Sequence, residues 1–258
     1  MALDLDDKNV LVTGASSGIG RACAEAFATK GCRLLLAARR KDRLDELAGT
    51  LEERYGAEVL TTSLDVRDRD AVDDWVGALL GEWRGIDVLI NNAGLSRGME
   101  PLHEGDVSDW EEMIDTNVKG LLYVTRAVLP GMVNRGNGHV INIGSIAGHE
   151  VYPGGNVYCA TKHAVTALNR GLAIDMLGTG VRVSSVDPGM VETEFSLVRF
   201  HGDAERASGV YDGIDPLTPV DVAEAVLFCA TRPKNANVRE MILTAGAQAS
   251  VVHAHRTN

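Results

Sequence analysis

The sequence predicts an α/β fold in which a single doubly wound parallel sheet is flanked by helices. Strand-like and helical patterns alternate along all 258 residues, and no repeat or linker interrupts them. Runs such as Leu34–Leu36 and Val88–Ile90 are apolar at consecutive positions, as in parallel strands that are buried on both faces. Strict βα alternation is typical of a Rossmann-type sheet, and this length suits one such domain.

Short apolar, β-branched runs mark the strands, and apolar residues at helical spacing mark the helices between them. The predicted strands are Asn9–Thr13, Arg33–Ala37, Val59–Ser63, Val88–Asn91, His139–Ile143, Arg182–Val186 and Met241–Leu243. The predicted helices are Gly18–Lys30, Arg43–Tyr55, Arg69–Glu82, Val107–Leu129, Val157–Leu177 and Val220–Ala230. We expect one domain over residues 1–258, with an irregular stretch near 190–219 that is long enough to form a lid.

Charge and composition limit the classes of partner. Lysine and arginine total 25 against 36 acidic residues, which gives a net charge of −11 and argues against nucleic acid and anionic membranes. The acidic start, Met1–Asp7, does not resemble a secretory signal, and no apolar run reaches the roughly 20 residues of a membrane span. Four scattered cysteines and seven histidines show no metal-ligand spacing. We therefore expect a cytoplasmic protein that binds no metal.

A glycine-rich turn, Thr13–Gly20, follows the apolar run Val10–Val12 and opens a helical pattern. Unpaired backbone N–H groups and the helix dipole favour an anion at such a helix N-terminus, and glycines let the ligand approach the backbone. The sequence thus predicts a nucleotide pyrophosphate site; the alternative is a tight turn between two core elements. The residues expected to contact the nucleotide here are Gly14, Ser16, Ser17, Gly18, Ile19 and Gly20.

Tyr158 and Lys162 are four residues apart in a predicted helix, with Ser145 upstream. Residues at this spacing share one helix face, and a nearby cation lowers the pKa of a phenol. A tyrosine placed in this way can exchange a proton with a substrate oxygen. The alternative is a half-buried tyrosine beside a surface lysine. Cys159 points about 100° away around the helix, which favours core packing over a role as nucleophile.

These motifs together resemble the short-chain dehydrogenase/reductase family over essentially the whole chain. The matching segments are Thr13–Gly20, Asp65-Val66, Asn91–Gly94, Asn117, Ser145, Tyr158–Lys162, Pro188-Gly189 and Thr193. Within the family, the chain is most similar to the NADP-dependent 3-hydroxy acid dehydrogenases, which act on serine and related 3-hydroxy acids. That match rests on Gly98–Pro101, Asp109–Glu111, Met113–Asn117, Thr125–Val133 and Phe195–Asp203.

The resemblance implies roles for individual residues and a homotetramer that acts on a small molecule. Asn117, Ser145, Tyr158 and Lys162 would be catalytic, with Lys162 lowering the pKa of Tyr158. Asn117 would bend its helix and hold a water, although a satisfied core asparagine is the plainer interpretation. Asp65 would bind the adenine, or merely cap a helix. Further cofactor contacts are expected from Val66, Asn92, Ala93, Gly94, Tyr158, Lys162, Pro188, Gly189, Val191 and Thr193.

The end of the second strand predicts the choice of cofactor. NAD-specific relatives carry an aspartate there, 18 residues past the last glycine of the turn, whereas this chain has Ala38 followed by Arg39 and Arg40. Loss of the carboxylate and the presence of guanidinium groups favour a 2′-phosphate, which predicts NADP. The alternative is two solvated arginines at a helix start, where the dipole disfavours cations.

The substrate class follows from a cation within the predicted lid. Arg199 lies among apolar residues, so we expect it to reach into the site and to pair with an acid group, assisted by Gln248, which a neighbouring subunit could supply. The alternative is a surface arginine. The predicted function is NADP-dependent interconversion of a small 3-hydroxy acid type alcohol and its carbonyl by hydride transfer. Two alternatives remain: reduction of a sulfonated aldehyde or malonate semialdehyde, and a non-catalytic nucleotide sensor.

Overall fold

The computed structural model of the protein describes residues 3–257. Met1 and Ala2 of the acidic start, and Asn258 at the end of the expected domain, lie outside the described residues. Its seven strands form one parallel sheet in the order β3-β2-β1-β4-β5-β6-β7. The strands are β1 (Asn9–Thr13), β2 (Arg33–Ala38), β3 (Val59–Ser63), β4 (Val88–Asn91), β5 (Gly138–Ile143), β6 (Val181–Pro188) and β7 (Glu240–Leu243). The predicted fold class is confirmed.

Nine α-helices lie within residues 3–257. They are α1 (Gly18–Ala28), α2 (Lys41–Tyr55), α3 (Arg69–Gly77), α4 (Val107–Ile114), α5 (Leu121–Arg135), α6 (Asn156–Asp175), α7 (Phe195–Arg199), α8 (Ala204–Gly209) and α9 (Pro219–Ala230). None of the described helices is long and apolar enough to cross a membrane.

The core lies in two layers, one on each face of the sheet. Along β1, Val10 and Val12 pack into one apolar cluster, whereas Leu11 packs into the other, because successive side chains of a strand point to opposite faces. All three are fully buried. This two-sided burial is the reason that the strands read as continuous apolar runs.

Two helix predictions were wrong in their bounds. The helix that starts at Arg69 ends at Gly77 rather than Glu82, and a separate 3-10 turn begins at Gly81, whose positive φ of 58° does not fit a continuous α-helix. Conversely, α5 passes through Pro130 and ends at Arg135, although proline disfavours helix interiors. Burial of Val128 and Met132 on its core face accompanies this continuation.

The predicted helix Val107–Leu129 is also not continuous. A π-helical segment, Asp115–Gly120, separates α4 from α5. Gly120 packs so closely on Val66 that a Cβ at that position would lie 2.6 Å from Cγ2 of Val66. Wide helical turns of this kind often occur at functional sites, and this one contains Asn117.

The stretch 190–219, called the lid below, is less irregular than expected, because α7 and α8 form within it. Asp203 caps α8 by accepting a hydrogen bond from the backbone N–H of Arg206. At the far end, Thr218 and Asp221 form a capping box at the start of α9. The lid therefore has ordered helices and a fixed exit into the core.

Candidate active site

One cavity of about 630 Å³ opens at the carboxyl ends of the central strands, where β1 is flanked by β2 and β4. Ligands of doubly wound sheets bind at this reversal of strand order. Of the predicted site residues, only Gly20 and Asn117 lie behind the cavity lining. The cavity is lined by the others: Gly14, Ser16, Ser17, Gly18, Ile19, Arg39, Arg40, Asp65, Val66, Asn92, Ala93, Gly94, Ser145, Tyr158, Lys162, Pro188, Gly189, Val191, Thr193, Arg199 and Gln248.

The glycine-rich turn is packed against the loop after β4 with no room for side chains. Gly14 has a φ of +65°, and a Cβ there would lie 2.9 Å from the Cα of Ala93. A Cβ on Gly20 would lie 2.5 Å from Nδ2 of Asn92, which donates to the carbonyl oxygens of Thr13 and Gly14 at 2.9 and 3.2 Å. The asparagine amide thus fixes the shape of the turn, which leaves the start of α1 open to the cavity.

Tyr158 is almost fully buried at the inner end of the cavity, where its ring meets Phe195 edge to face at 5.6 Å. Burial raises the pKa of the phenol above its ordinary value, while the Arg199 guanidinium and a hydrogen bond with Ser145 act to lower it. Ser145 is itself fixed by the backbone N–H of Ala147, which donates to its Oγ at 3.1 Å. The phenol therefore holds its proton in this state.

Lys162 lies beneath the tyrosine and is held by the sheet. Its Nζ donates to the carbonyl of Ile143 at 2.9 Å and lies 6.0 Å from the centre of the Tyr158 ring. Burial lowers the pKa of Lys162 to about 8, although the carboxylate of Asp187 opposes this shift. In this structure the cation that opposes the effect of burial on the Tyr158 pKa is Arg199, and the expected effect of Lys162 on that pKa stays a prediction.

Asn117 is buried behind the cavity, where the π-helical segment places its amide. Its Nδ2 donates to the carbonyl of Leu95 at 2.8 Å and to Oγ1 of Thr161 at 3.1 Å, and its Oδ1 accepts from the N–H of Leu95 at 2.8 Å. The π-helical segment interrupts the helix at this residue, and the expected bend and bound water stay predictions. The side chain links the strand-end loop after β4 to the helix that carries Tyr158.

The two arginines after β2 have different surroundings. Arg40 donates to Oγ of Ser16 and Ser17 and also to Glu194. Arg39 is half exposed, and its nearest carboxylate is that of Glu112, at 3.7 Å. Arg39 thus keeps donor groups that face the cavity.

Asp65, the predicted adenine contact, forms an ion pair with Arg67. Its carboxylate accepts from the side chain of Arg67 at 2.6 and 3.0 Å, and these hydrogen bonds hold the pKa of Asp65 below its ordinary value. The carboxylate is therefore ionised, and it can accept a further hydrogen bond in the cavity. It does not cap α3, which is capped by Asp68.

Arg199 points into the cavity and is enclosed by three aromatic rings. Its guanidinium carbon lies 5.2 to 5.8 Å from the ring centres of Phe195, Tyr158 and Tyr152, and Nη2 donates to the Tyr152 hydroxyl at 3.0 Å. Its Nε is buried and has no hydrogen-bond partner within residues 3–257. A cation with an unused donor therefore faces the reactive phenol.

Gln248 lines the cavity of its own chain, and its amide is already engaged. Oε1 accepts from the N–H of Met190 at 2.9 Å, and Nε2 donates to the carbonyl of Ser250 at 3.2 Å. The side chain thus supports the start of the lid.

Two lining residues that the sequence did not single out are Tyr152 and Glu194. Neither lies in a recognisable motif, and their importance comes from partners that are distant in sequence. Cys159, as expected, is buried in the apolar cluster that includes Tyr158, and burial raises the pKa of its thiol. It is therefore a poor nucleophile.

One cavity contains the glycine-rich turn, called the nucleotide cradle below, and Ser145. It also contains the buried Tyr158, the nearby Lys162 and the Arg199 guanidinium. This combination defines an enzyme of the dinucleotide-dependent oxidoreductase class. The family model described as short chain dehydrogenase matches residues 8–202. The chain belongs to the short-chain dehydrogenase family, and the predictions of family and enzyme class are confirmed.

Three proteins to which the chain is similar bear on its activity. The chain is 51% identical over 230 residues to the NADP-dependent 3-hydroxy acid dehydrogenase YdfG of Salmonella typhi, with 89% of this chain and 91% of that protein covered. It is 46% identical over 233 residues to sulfoacetaldehyde reductase 2 of Chromohalobacter salexigens, with 90% and 92% covered. The closed form of serine dehydrogenase complexed with NADP+ matches at a TM-score of 0.90 and 46% identity, over 96% of this chain and 100% of that one.

Proposed function

We propose that the protein is an NADP-dependent dehydrogenase that interconverts a small acidic alcohol of the 3-hydroxy acid type and its carbonyl by hydride transfer. The observation that carries this proposal is the Arg199 guanidinium, enclosed beside Tyr158 in the cavity that also contains the nucleotide cradle. The 3-hydroxy acid dehydrogenase and the NADP+-bound serine dehydrogenase named above agree with it, and so does the cofactor predicted from Ala38, Arg39 and Arg40.

The residues of the cavity fit a dinucleotide with a 2′-phosphate. At Gly14 and Gly20 the turn has no space for a Cβ, so the backbone is bare where a pyrophosphate approaches. Arg39 offers free donors at the end of β2, where a carboxylate would repel a phosphate. When NADP is bound, its nicotinamide accepts or delivers the hydride. Lys162, Asn92, Gly94, Pro188, Gly189, Val191 and Thr193 would hold the nicotinamide half.

The chain's own residues move the proton and hold the acid group. Ser145 and Tyr158 hydrogen-bond the substrate oxygen, and the Tyr158 hydroxyl gives its proton to that oxygen in reduction or takes it back in oxidation. Lys162 and Asn117 position the tyrosine and complete the proton route. Arg199 pairs with the acid group, because a partly buried cation with an unused buried donor is stabilised by an anion. The lid 190–219 excludes water from this pair.

A substrate panel that monitors NADPH absorbance tests the proposal. It should compare 3-hydroxy acids, including serine, with sulfonated aldehydes, malonate semialdehyde and neutral analogues of the same size. Turnover of acidic substrates well above that of their neutral analogues is expected. The sulfoacetaldehyde reductase relative makes reduction of a sulfonated aldehyde the second candidate, since a guanidinium also binds a sulfonate. No turnover of any compound, with NADPH still bound, would favour the sensor alternative.

Arg199→Met should raise the KM for acidic substrates at least tenfold while a neutral aldehyde is spared, because a single charged hydrogen bond contributes about 1.5–3 kcal/mol. Methionine places an apolar side chain among the three aromatic rings, so the space that Arg199 occupies stays filled. The measurement is kcat/KM for matched acidic and neutral substrates. Equal losses on both would mean that Arg199 shapes the lid without binding the acid group.

The same variant changes the pH dependence of oxidation. Arg199 lowers the pKa of Tyr158 against the effect of burial, so its removal leaves burial unopposed and raises that pKa further. Oxidation needs the phenolate, and its rise with increasing pH should therefore move to higher pH in Arg199→Met. Reduction needs the protonated phenol and should keep its neutral-pH rate. The oxidation rate is measured against pH with a neutral alcohol as the substrate. If the rise of this rate with pH did not move in the variant, Arg199 would not be the group that lowers the Tyr158 pKa.

We also propose a homotetramer in the cytoplasm, built from one domain per chain. Ile174 near the end of α6 and Leu177 just after it are 71% and 85% exposed, and Ile242 on the edge strand β7 is 57% exposed, so apolar side chains are available to an interface. All four cysteines are free and buried, in keeping with a reducing compartment. Light scattering should give four times the 27.5 kDa chain mass, and a monomer in solution would exclude the tetramer.

A further inference from the structure

The residue immediately before α7, Glu194, joins the lid to the basic start of α2. Its Oε2 accepts from Nη1 of Arg40 at 2.9 Å, and its Oε1 accepts from Nη1 of Arg43 at 2.7 Å. The hydrogen bonds from Arg43 and Arg40 hold the pKa of Glu194 below its ordinary value, so the carboxylate is ionised at neutral pH. Glu194 also lines the cavity, so this bridge lies at the cavity wall.

Arg40 extends the bridge to the nucleotide cradle. Its Nε donates to Oγ of Ser16 at 3.3 Å, and its Nη2 donates to Oγ of Ser17 at 2.8 Å. One guanidinium therefore contacts the glycine-rich turn on one side and the lid on the other. Arg39 keeps its donors for a phosphate, so Glu194 does not occupy the arginine that the cofactor needs most.

The other end of α7 is held in a similar way. Nη1 of Arg97 donates to the carbonyl of Val198 at 2.5 Å, and its Nε donates to Glu112 at 2.7 Å. The same Glu112 carboxylate lies 3.7 Å from Nη1 of Arg39. The N-terminal end of α7 is thus connected through Glu194 to Arg40. Its C-terminal end is connected through Arg97 and Glu112 to Arg39.

We propose that Glu194 is a positioning residue that clasps the lid over the bound cofactor by bridging Arg40 and Arg43, so that release of the cofactor requires this bridge to open. The proposal rests on the proposed NADP site and lid. It assigns Glu194 a role in retaining the dinucleotide and in placing Arg199, without contact with the substrate. The opposite possibility, that the carboxylate repels the cofactor phosphate, predicts a change of opposite sign.

The expected effect is modest, because the side chains of the bridge are about two-fifths exposed. Exposed ion pairs contribute little individually, and a carboxylate shared by two arginines lies at the upper end of that range. We therefore expect NADPH to leave about two- to fivefold faster from Glu194→Gln. Arg43→Gln should show a similar increase, although Arg43 is absent from the cavity lining.

The test is stopped-flow release of NADPH, followed by its fluorescence, from the wild type, Glu194→Gln, Arg43→Gln and the double variant. If the bridge acts as one unit, the double variant releases NADPH no faster than the faster single variant. Arg69→Gln removes the exposed Arg69–Asp70 pair at the start of α3 and should release NADPH at the wild-type rate. Thermal unfolding midpoints of all variants check that each is folded.

Three results would overturn the clasp: unchanged release in both single variants, slower release from Glu194→Gln, or effects that multiply in the double variant. Slower release would show that the carboxylate repels the cofactor. Should Glu194→Gln fail to fold, Arg43→Gln alone decides between faster and unchanged release. Because no substrate is present, a failure of the proposed substrate class leaves this measurement intact, whereas absence of NADPH binding would defeat the proposed function itself.

Discussion

Tyr158→Phe should lower turnover by roughly 10²–10⁴-fold, the usual scale of general acid–base catalysis. Tyr158 lines the cavity as a protonated phenol, with a hydrogen bond to Ser145 and the Arg199 guanidinium 5.4 Å from its ring centre. Phenylalanine keeps the ring and its edge-to-face contact with Phe195, so the core around it should stay packed. NADPH affinity should be retained, and the loss should therefore appear in kcat. The measurement is steady-state turnover with a titration of NADPH fluorescence.

Tyr152→Phe is the matched control, because it also removes one phenol hydroxyl beside the same guanidinium. Tyr152 contacts Arg199 and carries no proton to the substrate, so its loss should act mainly through KM. Burial raises the pKa of this phenol above its ordinary value, which keeps it protonated at neutral pH. If Tyr158→Phe retained near-normal turnover, or if the two variants behaved alike, the proton donor would have to be another group.

The cofactor preference should shift toward NAD in the double variant Ala38→Asp with Arg39→Ala. Loss of one charged hydrogen bond costs about 1.5–3 kcal/mol, which corresponds to roughly 10–150-fold in NADP affinity. Arg39 is the residue to remove, because its guanidinium keeps free donors, whereas Arg40 is engaged with Ser16, Ser17 and Glu194. The new carboxylate would repel a 2′-phosphate and could accept a bond from a ribose hydroxyl.

The measurement is kcat/KM for NADPH and NADH with the same carbonyl substrate. Arg69→Ala removes an exposed arginine from the start of α3 without touching the cavity, and it controls for the loss of one arginine charge. Its cofactor preference should equal that of the wild type. An unchanged preference in the double variant would mean that other groups bind the 2′-phosphate of NADP. Arg40 would then be the next residue to substitute.

Much of the fold and of the cofactor site could be predicted because the relevant signals are local. Short apolar runs identified the inner strands, which are buried on both faces, and the two edge strands β3 and β7 were identified as well although they are only partly buried. The glycine-rich turn and the i, i+4 spacing of Tyr158 and Lys162 depend only on residues that are close in sequence. The replacement of an aspartate by Ala38, with two arginines after it, likewise indicated NADP without any tertiary information.

Helix bounds and the π-helical segment could not be predicted in this way. The pattern of α4 and α5 reads as one helix, and only the close packing of Gly120 on Val66 and the bonds from Asn117 to Leu95 accompany the wide turn. Proline at position 130 suggested an end that the structure does not have, because tertiary packing outweighs local propensity.

The sequence by itself determined the α/β class, the nucleotide cradle, the tyrosine–lysine pair and the choice of cofactor, because each depends on local periodicity or spacing. Only the tertiary structure decided the electrostatics of the site. Burial raises the pKa of Tyr158 although a lysine lies below it, and Arg199, 41 positions along the chain, is the cation that opposes this shift. Glu194 meets Arg40 across 154 positions. Burial and long-range pairing arise when distant segments pack together, and no local pattern encodes them.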